Sequence, residues 1–264
     1  MATVEEEVST AAPRPDADDA ARLARYTGPP VPLDPPRGHF LIRFWHSAVG
    51  KKWVMGVSGV ILLGYVFAHM VGTLKVFLGP NAINNYGEWL RTLGEPALPR
   101  SVVLWLMRSV LIAAFFLHIV AAYQLTRMNH HARPVKYQSP RDYTAANFAS
   151  RTMRWTGIIV GLFLIFHLMD QTWGSGNPHF IRGDPYHNMF ESFERVPVAI
   201  AYIIANIALA IHVFHGAWSM FQSLGLNNPR WNLWRRYFAA GFAALILVGN
   251  VSMPLLITTG AVTR

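Results

Sequence analysis

Residues 53–78 read WVMGVSGVILLGYVFAHMVGTLKVFL, an almost unbroken apolar run with one histidine, His69, set well inside it. The run exceeds the roughly 20 residues that a helix needs to cross the hydrocarbon layer of a bilayer. Four more such runs follow, at 102–126, 152–173, 197–223 and 237–259. The 264 residues are 52% hydrophobic and only 14% charged, which is too apolar for an ordinary soluble domain. The expected fold is therefore all-α and integral to a membrane, with five transmembrane helices forming one bundle across 53–264.

The flanking segments differ in kind. Residues 1–36 hold Pro13, Pro15, Pro29, Pro30, Pro32, Pro35 and Pro36 among Ala, Asp and Glu, a composition that spoils any long helix. It suits a disordered tail or an arm extended over a soluble partner, and it lacks the basic and apolar regions of a secretory signal. Residues 37–52 form a basic segment with Phe40, Leu41, Phe44 and Trp45, fit to lie at headgroup level. The formal charge of +9 is concentrated in particular loops, which points to membrane topology and away from nucleic acid. Arg37, Arg43, Lys51 and Lys52 precede the first run, Arg127, Arg133, Lys136, Arg141, Arg151 and Arg154 fill the second connection, and Arg230, Arg235 and Arg236 the fourth. The amino terminus is thus expected in the cytoplasm and the carboxyl terminus outside. No repeat of the kind that builds two symmetry-related transporter halves is read from the chain.

Five histidines, His69, His118, His167, His212 and His215, lie inside apolar runs, where an ionisable group is costly and needs a partner. One alone reads as an imidazole bonded to a neighbouring carbonyl; the feature on four helices is harder to dismiss. With a rise of 1.5 Å per residue, His118 and His215 fall roughly 12 Å from the cytoplasmic side, His212 roughly 16 Å, and His69 and His167 about 20 to 24 Å. One imidazole from each of two helices at one depth is what a six-coordinate heme iron needs. The expected pairs are His118 with His215 for a cytoplasmic-side heme, and His69 with His167 for an outer-side heme. Iron held at both axial positions carries electrons and leaves no site for oxygen. His212 is expected to hydrogen-bond a propionate or quinone. With no cysteine, the chain cannot hold an iron–sulfur cluster through thiolates, so any such cluster sits on a partner.

Polar residues near these tiers supply further candidates. Arg43, Ser47, Lys51 and Lys52 are placed to hold propionates of the cytoplasmic-side heme or to face anionic lipid. Arg108 is placed to meet an outer propionate, to pair with Asp170, or to snorkel to the interface. His39, His46, His130, His131, His179 and His187 fall in loops or interfacial segments and read as solvated.

Taken together, these residues resemble the cytochrome b membrane anchor of succinate dehydrogenases and fumarate reductases, in its single-subunit, two-heme form. The resemblance runs from about Ser47 to Thr259. It is carried by Gly50-Lys51-Lys52 ahead of Ser58-Gly59, by Ala68-His69-Met70, Phe77-Leu78-Gly79-Pro80 and Asn84-Asn85-Tyr86, and by Asn129 with Ala132-Arg133-Pro134. Its most specific string is His212-Val213-Phe214-His215-Gly216 running into Ser219-Met220-Phe221-Gln222-Ser223-Leu224-Gly225. The resemblance implies heme ligation by His69, His118, His167 and His215, the last matched through its His-Gly step. Some fumarate reductases of the family carry an acid two residues before that histidine, thought to return protons; Val213 stands there in this chain.

The resemblance further implies a bacterial inner-membrane complex. A flavoprotein subunit with FAD would oxidise succinate, an iron–sulfur subunit would dock on the cytoplasmic face, and electrons would pass through two hemes b to quinone, menaquinone being favoured. A quinone pocket near the outer heme would draw on Glu88, Glu95, Arg108, Asp170 or Gln171. The alternatives are the heme b subunit of another quinone-linked dehydrogenase or of a fumarate reductase, and, in another class, a heme-free transporter or scaffold using buried histidines for protons or metal.

Overall fold

The structure, a computed structural model, describes residues 17–18, 38–132, 148–226 and 228–264. The expected arm over 1–36, apart from 17–18, and the basic residues Arg37, Arg133, Lys136 and Arg141 lie outside the described residues. Those described are helical or in short connections: α1 Phe40–His46, α2 Ala48–Thr73, α3 Pro80–Thr92, α4 Val102–His131, α5 Phe148–Leu168, α6 Pro185–Phe193, α7 Val196–Ser223 and α8 Asn232–Thr258. Five helical stretches are long and apolar enough to cross a membrane, Ala48–Leu78, Val102–His131, Thr152–Trp173, Val196–Ser223 and Pro229–Thr258. The second outruns its apolar stretch by a turn and the fifth begins earlier than its hydropathy does.

Local chemistry sets the helix ends. The Ser47 hydroxyl accepts from the Gly50 amide at 2.9 Å and caps α2 after the corner from α1. Pro80 and Pro185 open α3 and α6, where a missing amide proton costs nothing, and the Asp184 carboxylate accepts from the His187 amide at 3.0 Å. Past Leu168, α5 widens into a π-helical turn, Met169–Trp173, which carries Asp170.

The four histidine-bearing helices form two packed pairs, α2 with α4 and α5 with α7; the pairs meet where α2 touches α7, and α8 lies along α7 and α2. α8 approaches α2 so closely that a Cβ on Gly249 would stand 2.3 Å from the Met70 sulfur. Val76, Ile83, Phe190, Phe193, Tyr202 and Ile257 form a core where α3 and α6 close one end of the bundle. Leu106, Ile112, Phe116, Leu162 and Ile165 stay exposed on α4 and α5. An apolar belt of this extent is what a bilayer covers, so the architecture is that of a multi-pass membrane protein.

Candidate functional site: two tiers of paired imidazoles

Each tier joins helices that are not packed on each other. His118 on α4 faces His212 on α7, with ring centroids 6.4 Å apart and ring planes at 64°. His69 on α2 faces His167 on α5 at 5.7 Å and 54°. Among the described residues α2 and α5 share no packed interface, and neither do α4 and α7. The imidazoles therefore meet across the diagonals of the bundle, and side chains alone bridge the gap.

In the first tier the ring contacts differ from the expected pairing. His118 has its ring contact with His212, whereas His215 turns edge-on to Trp218 at 6.4 Å and 87°. Residues 212 and 215 project about 60° apart around α7, because each residue advances about 100°. His215 is half-buried, and its Nδ1 is enclosed without a hydrogen-bond partner. In this geometry His212 is the ring that stands against His118.

Hydrogen bonds define the tautomers. The His118 Nδ1 lies 3.2 Å from the Met55 carbonyl and 3.3 Å from the Ser58 hydroxyl. That hydroxyl gives its single proton to the Val54 or Met55 carbonyl, so toward the imidazole it can only accept. The His212 Nδ1 lies 3.3 Å from Thr156 Oγ1, whose proton goes to the Met153 or Thr152 carbonyl. The Met55 carbonyl can only accept, so His118 donates from Nδ1; with the Thr156 proton on a main-chain carbonyl His212 does the same, which leaves each Nε2 lone pair for a metal. Each ring also rests on a glycine: a Cβ on Gly59 would lie 3.5 Å from His118 Cε1, and one on Gly157 3.4 Å from His212 Cε1.

The two seats share one spacing. Ser58-Gly59 precedes His69 by the same eleven-residue step with which Thr156-Gly157 precedes His167, counting from the hydroxyl residue. The first helix of each pair offers a hydroxyl–glycine seat to a histidine from a second helix, then its own histidine three turns further along.

The second tier sits beside a buried polar cluster. The His167 Nδ1 is 3.3 Å from the Tyr202 hydroxyl, which donates to Asp170 Oδ2 at 2.8 Å. Asp170 is fully buried and also accepts from Arg195 at 2.6 Å and from Gln171 at 2.9 Å. Gln171 donates onward to the Ser192 hydroxyl at 2.7 Å, and Asn177 donates to the same oxygen at 3.2 Å. The Tyr202 proton is committed to a carboxylate, so His167 too donates from Nδ1. Tyr202, Arg195, Asn177 and Ser192 escaped the sequence reading because lone polar residues at helix starts and in loops carry no pattern.

The remaining candidates lie elsewhere. Arg108 is exposed and stacks over Trp105 at 5.0 Å; the partner of Asp170 is Arg195, so of the three roles offered for Arg108 the pairing with Asp170 is not the one seen. Glu88 is at the surface, bridged to Arg100 at 2.5 Å and Arg91 at 3.5 Å, and Glu95 is exposed. Ser47 and the buried Lys51 are turned to the α1–α2 corner. Ser47 donates to the Phe44 carbonyl at 2.7 Å, and Lys51 donates to the Trp45 carbonyl and lies 5.0 Å from the Trp45 ring centre. Arg43 and Lys52 are exposed.

The donor set has one further property. Among the described residues no cluster of three or more His, Cys, Asp or Glu side chains is arranged to hold a metal ion. Each tier offers two neutral nitrogens and nothing more, so a metal held there would need its equatorial donors from another molecule. Comparison with protein-family models, with curated proteins and with solved structures found no match.

Proposed function

We propose that this chain is the cytochrome b membrane anchor of a succinate dehydrogenase, that it binds two b-type hemes, and that it connects an iron–sulfur subunit to quinone. The observation that carries the reading is the pairing of intramembrane imidazoles in two tiers, with Nδ1 of His118, His212 and His167 tied to acceptors. Two imidazoles sharing a metal at about 2.0–2.1 Å from each nitrogen have ring centres roughly 6 to 6.5 Å apart. The first tier's separation of 6.4 Å falls within that span, and the second tier's 5.7 Å falls short of its lower end. A tetrapyrrole would supply the four equatorial nitrogens that the chain lacks, and α2 with α5 and α4 with α7 share no packed interface across the diagonals where it would stand. The residues present therefore fit two hemes.

In this reading His118 and His212 hold one iron, and His69 and His167 the other. Bound heme would supply reversible one-electron chemistry at two depths of the bundle, with both axial positions filled. Ser58, Met55 and Thr156 fix the tautomer and orientation of the first pair, and Tyr202 does so for His167. The Nδ1 of His215, one turn from His212 and without a partner in the chain, would be free to bond a heme carboxylate in the same tier. His212 replaces His215 as the ligand, and the residue two before it, Ala210, is no more acidic than Val213.

The partners and direction follow from the resemblance and the charge pattern. The end bearing Arg127, Arg154, Arg230 and Arg236 is the cytoplasmic one, facing a cluster-bearing subunit and, beyond it, the FAD subunit. The end bearing α3 and α6 is the outer one, with quinone, favoured as menaquinone, reached from the His69 and His167 tier. Outward electron passage against menaquinone's low potential would gain about 2.3 kcal/mol per charge per 100 mV of membrane potential. The test is purification of the chain from its native membrane, with identification of bound subunits and pigment. A flavoprotein and a cluster protein with succinate-driven quinone reduction support the reading. A pigmented chain purified with a hydrogenase or formate dehydrogenase moves it to another quinone-linked enzyme, and a colourless chain removes it.

A further inference from the structure

The two tiers differ in what holds their imidazoles. Around His118 and His212 the Nδ1 acceptors are neutral, namely the Met55 carbonyl and the hydroxyls of Ser58 and Thr156. On His167 the acceptor is the Tyr202 phenol at 3.3 Å, itself bonded at 2.8 Å to the Asp170 carboxylate. We infer that Tyr202 and Asp170 are positioning residues that form an electron-donating relay on His167 and lower the reduction potential of the metal centre held by His69 and His167. The inference rests on the reading of that pair as axial ligands.

An acceptor that draws on Nδ1–H makes the imidazole more basic at Nε2, and a more basic axial ligand favours the more highly charged, oxidised iron. The phenol is a better acceptor than a free hydroxyl because its own proton is pulled toward a carboxylate, and successive hydrogen bonds polarise one another in a low-dielectric interior. The fold invests in the relay. Asp170 is fully buried, which is tolerable only because Arg195 at 2.6 Å and Gln171 at 2.9 Å hold it. Arg195 engages Oδ1 and leaves Oδ2 to Tyr202 and Gln171. Asp170 sits in the π-helical turn that ends α5, a local widening of the kind that recurs at functional positions. The relay works in one protonation state and needs no group to titrate.

Potentiometric titration of the purified holoprotein, followed by absorbance and electron paramagnetic resonance, tests this. Tyr202→Phe keeps the edge contacts of the ring with Phe163 at 4.9 Å and Phe193 at 5.0 Å and removes only the hydroxyl. It should raise the midpoint of the centre that His167→Ala abolishes by about a tenfold change in the oxidised-to-reduced ratio, about 59 mV for one electron. The g-values of that centre should move with it, and the other centre should not. Asp170→Asn should shift the same centre upward by less. If Tyr202→Phe retains both hemes with unchanged or lowered midpoints, the relay is wrong while the axial pair stands. If His167→Ala loses no heme, the axial reading itself fails. Should Tyr202→Phe not fold, the unmodified holoprotein decides. Two centres with different g-values support the relay, and two with identical ones overturn it.

Discussion

The ring of His118 meets the ring of His212 across the diagonal of the bundle, with centroids 6.4 Å apart, although the α4 and α7 backbones that carry them are not packed together. The geometry therefore makes His212 the partner of His118. His118→Ala and His212→Ala should abolish the same heme, and His215→Ala should leave both bound. Optical and paramagnetic resonance spectra of the three purified variants check this. Loss of the heme in His215→Ala with retention in His212→Ala would reverse the assignment.

The hydroxyl–glycine seats make a second prediction. Removing the Nδ1 acceptor of a metal-bound imidazole typically costs 10 to 100-fold in metal affinity. Thr156→Ala should speed heme loss from that tier to that extent, and Ser58→Ala by less because the Met55 carbonyl still accepts from His118, as measured by transfer to apomyoglobin. Because a Cβ at Gly59 would lie at ordinary contact distance from His118, Gly59→Ala should be tolerated and Gly59→Leu should not. Equal heme retention in Gly59→Leu and the parent would rule out the seat.

The Asp170–Arg195 pair makes a third. Arg195→Met would leave a fully buried carboxylate without its cation, a change that costs about 3–5 kcal/mol. A substantially lower unfolding temperature in detergent is expected, together with loosening of the turn at Gly176, to whose carbonyl Arg195 also donates at 3.0 Å. An unchanged melting profile would show that the carboxylate is not held as described.

A fourth concerns acid. Glu191 on α6 accepts from Arg264, and this hydrogen bond holds its carboxyl below the usual glutamate range, outweighing desolvation. A depressed folded value means that the clasp is complete above the ordinary glutamate pKa of about 4.3 and is lost as pH falls through the lower folded value. Amide exchange at Val262 and Arg264 should therefore quicken on acidification through that window, and Glu191→Gln should give the fast rate already at neutral pH. Exchange independent of pH across the window, once intrinsic rates are removed, would contradict the clasp.

Much of this architecture was legible in the chain. The five spans follow from uninterrupted hydropathy, and the cost of an intramembrane imidazole singled out the five histidines from which the two tiers are drawn. The choice between His212 and His215 was not legible. Depth counted at 1.5 Å per residue separates them by only about 4.5 Å, less than the uncertainty in where each helix meets the interface. Their directions around α7 decide, and these depend on how α7 is rotated against α5. The repeated step from Ser58 to His69 and from Thr156 to His167 was available in the letters, and it would have placed both seats in one tier. The Asp170, Tyr202 and Arg195 cluster could not be read, because its members are brought together only by the π-helical turn after α5 and the start of α7.

The central claim is that four imidazoles on four helices hold two irons in two tiers. Pyridine hemochrome analysis of the purified chain, run beside its His118→Ala, His212→Ala, His69→Ala and His167→Ala variants, tests it most directly. The account predicts two hemes b per parent chain and one per variant, with the first two variants retaining one spectral species and the last two the other. A parent chain without heme, or variants in which His69→Ala and His118→Ala erase the same species, would contradict it.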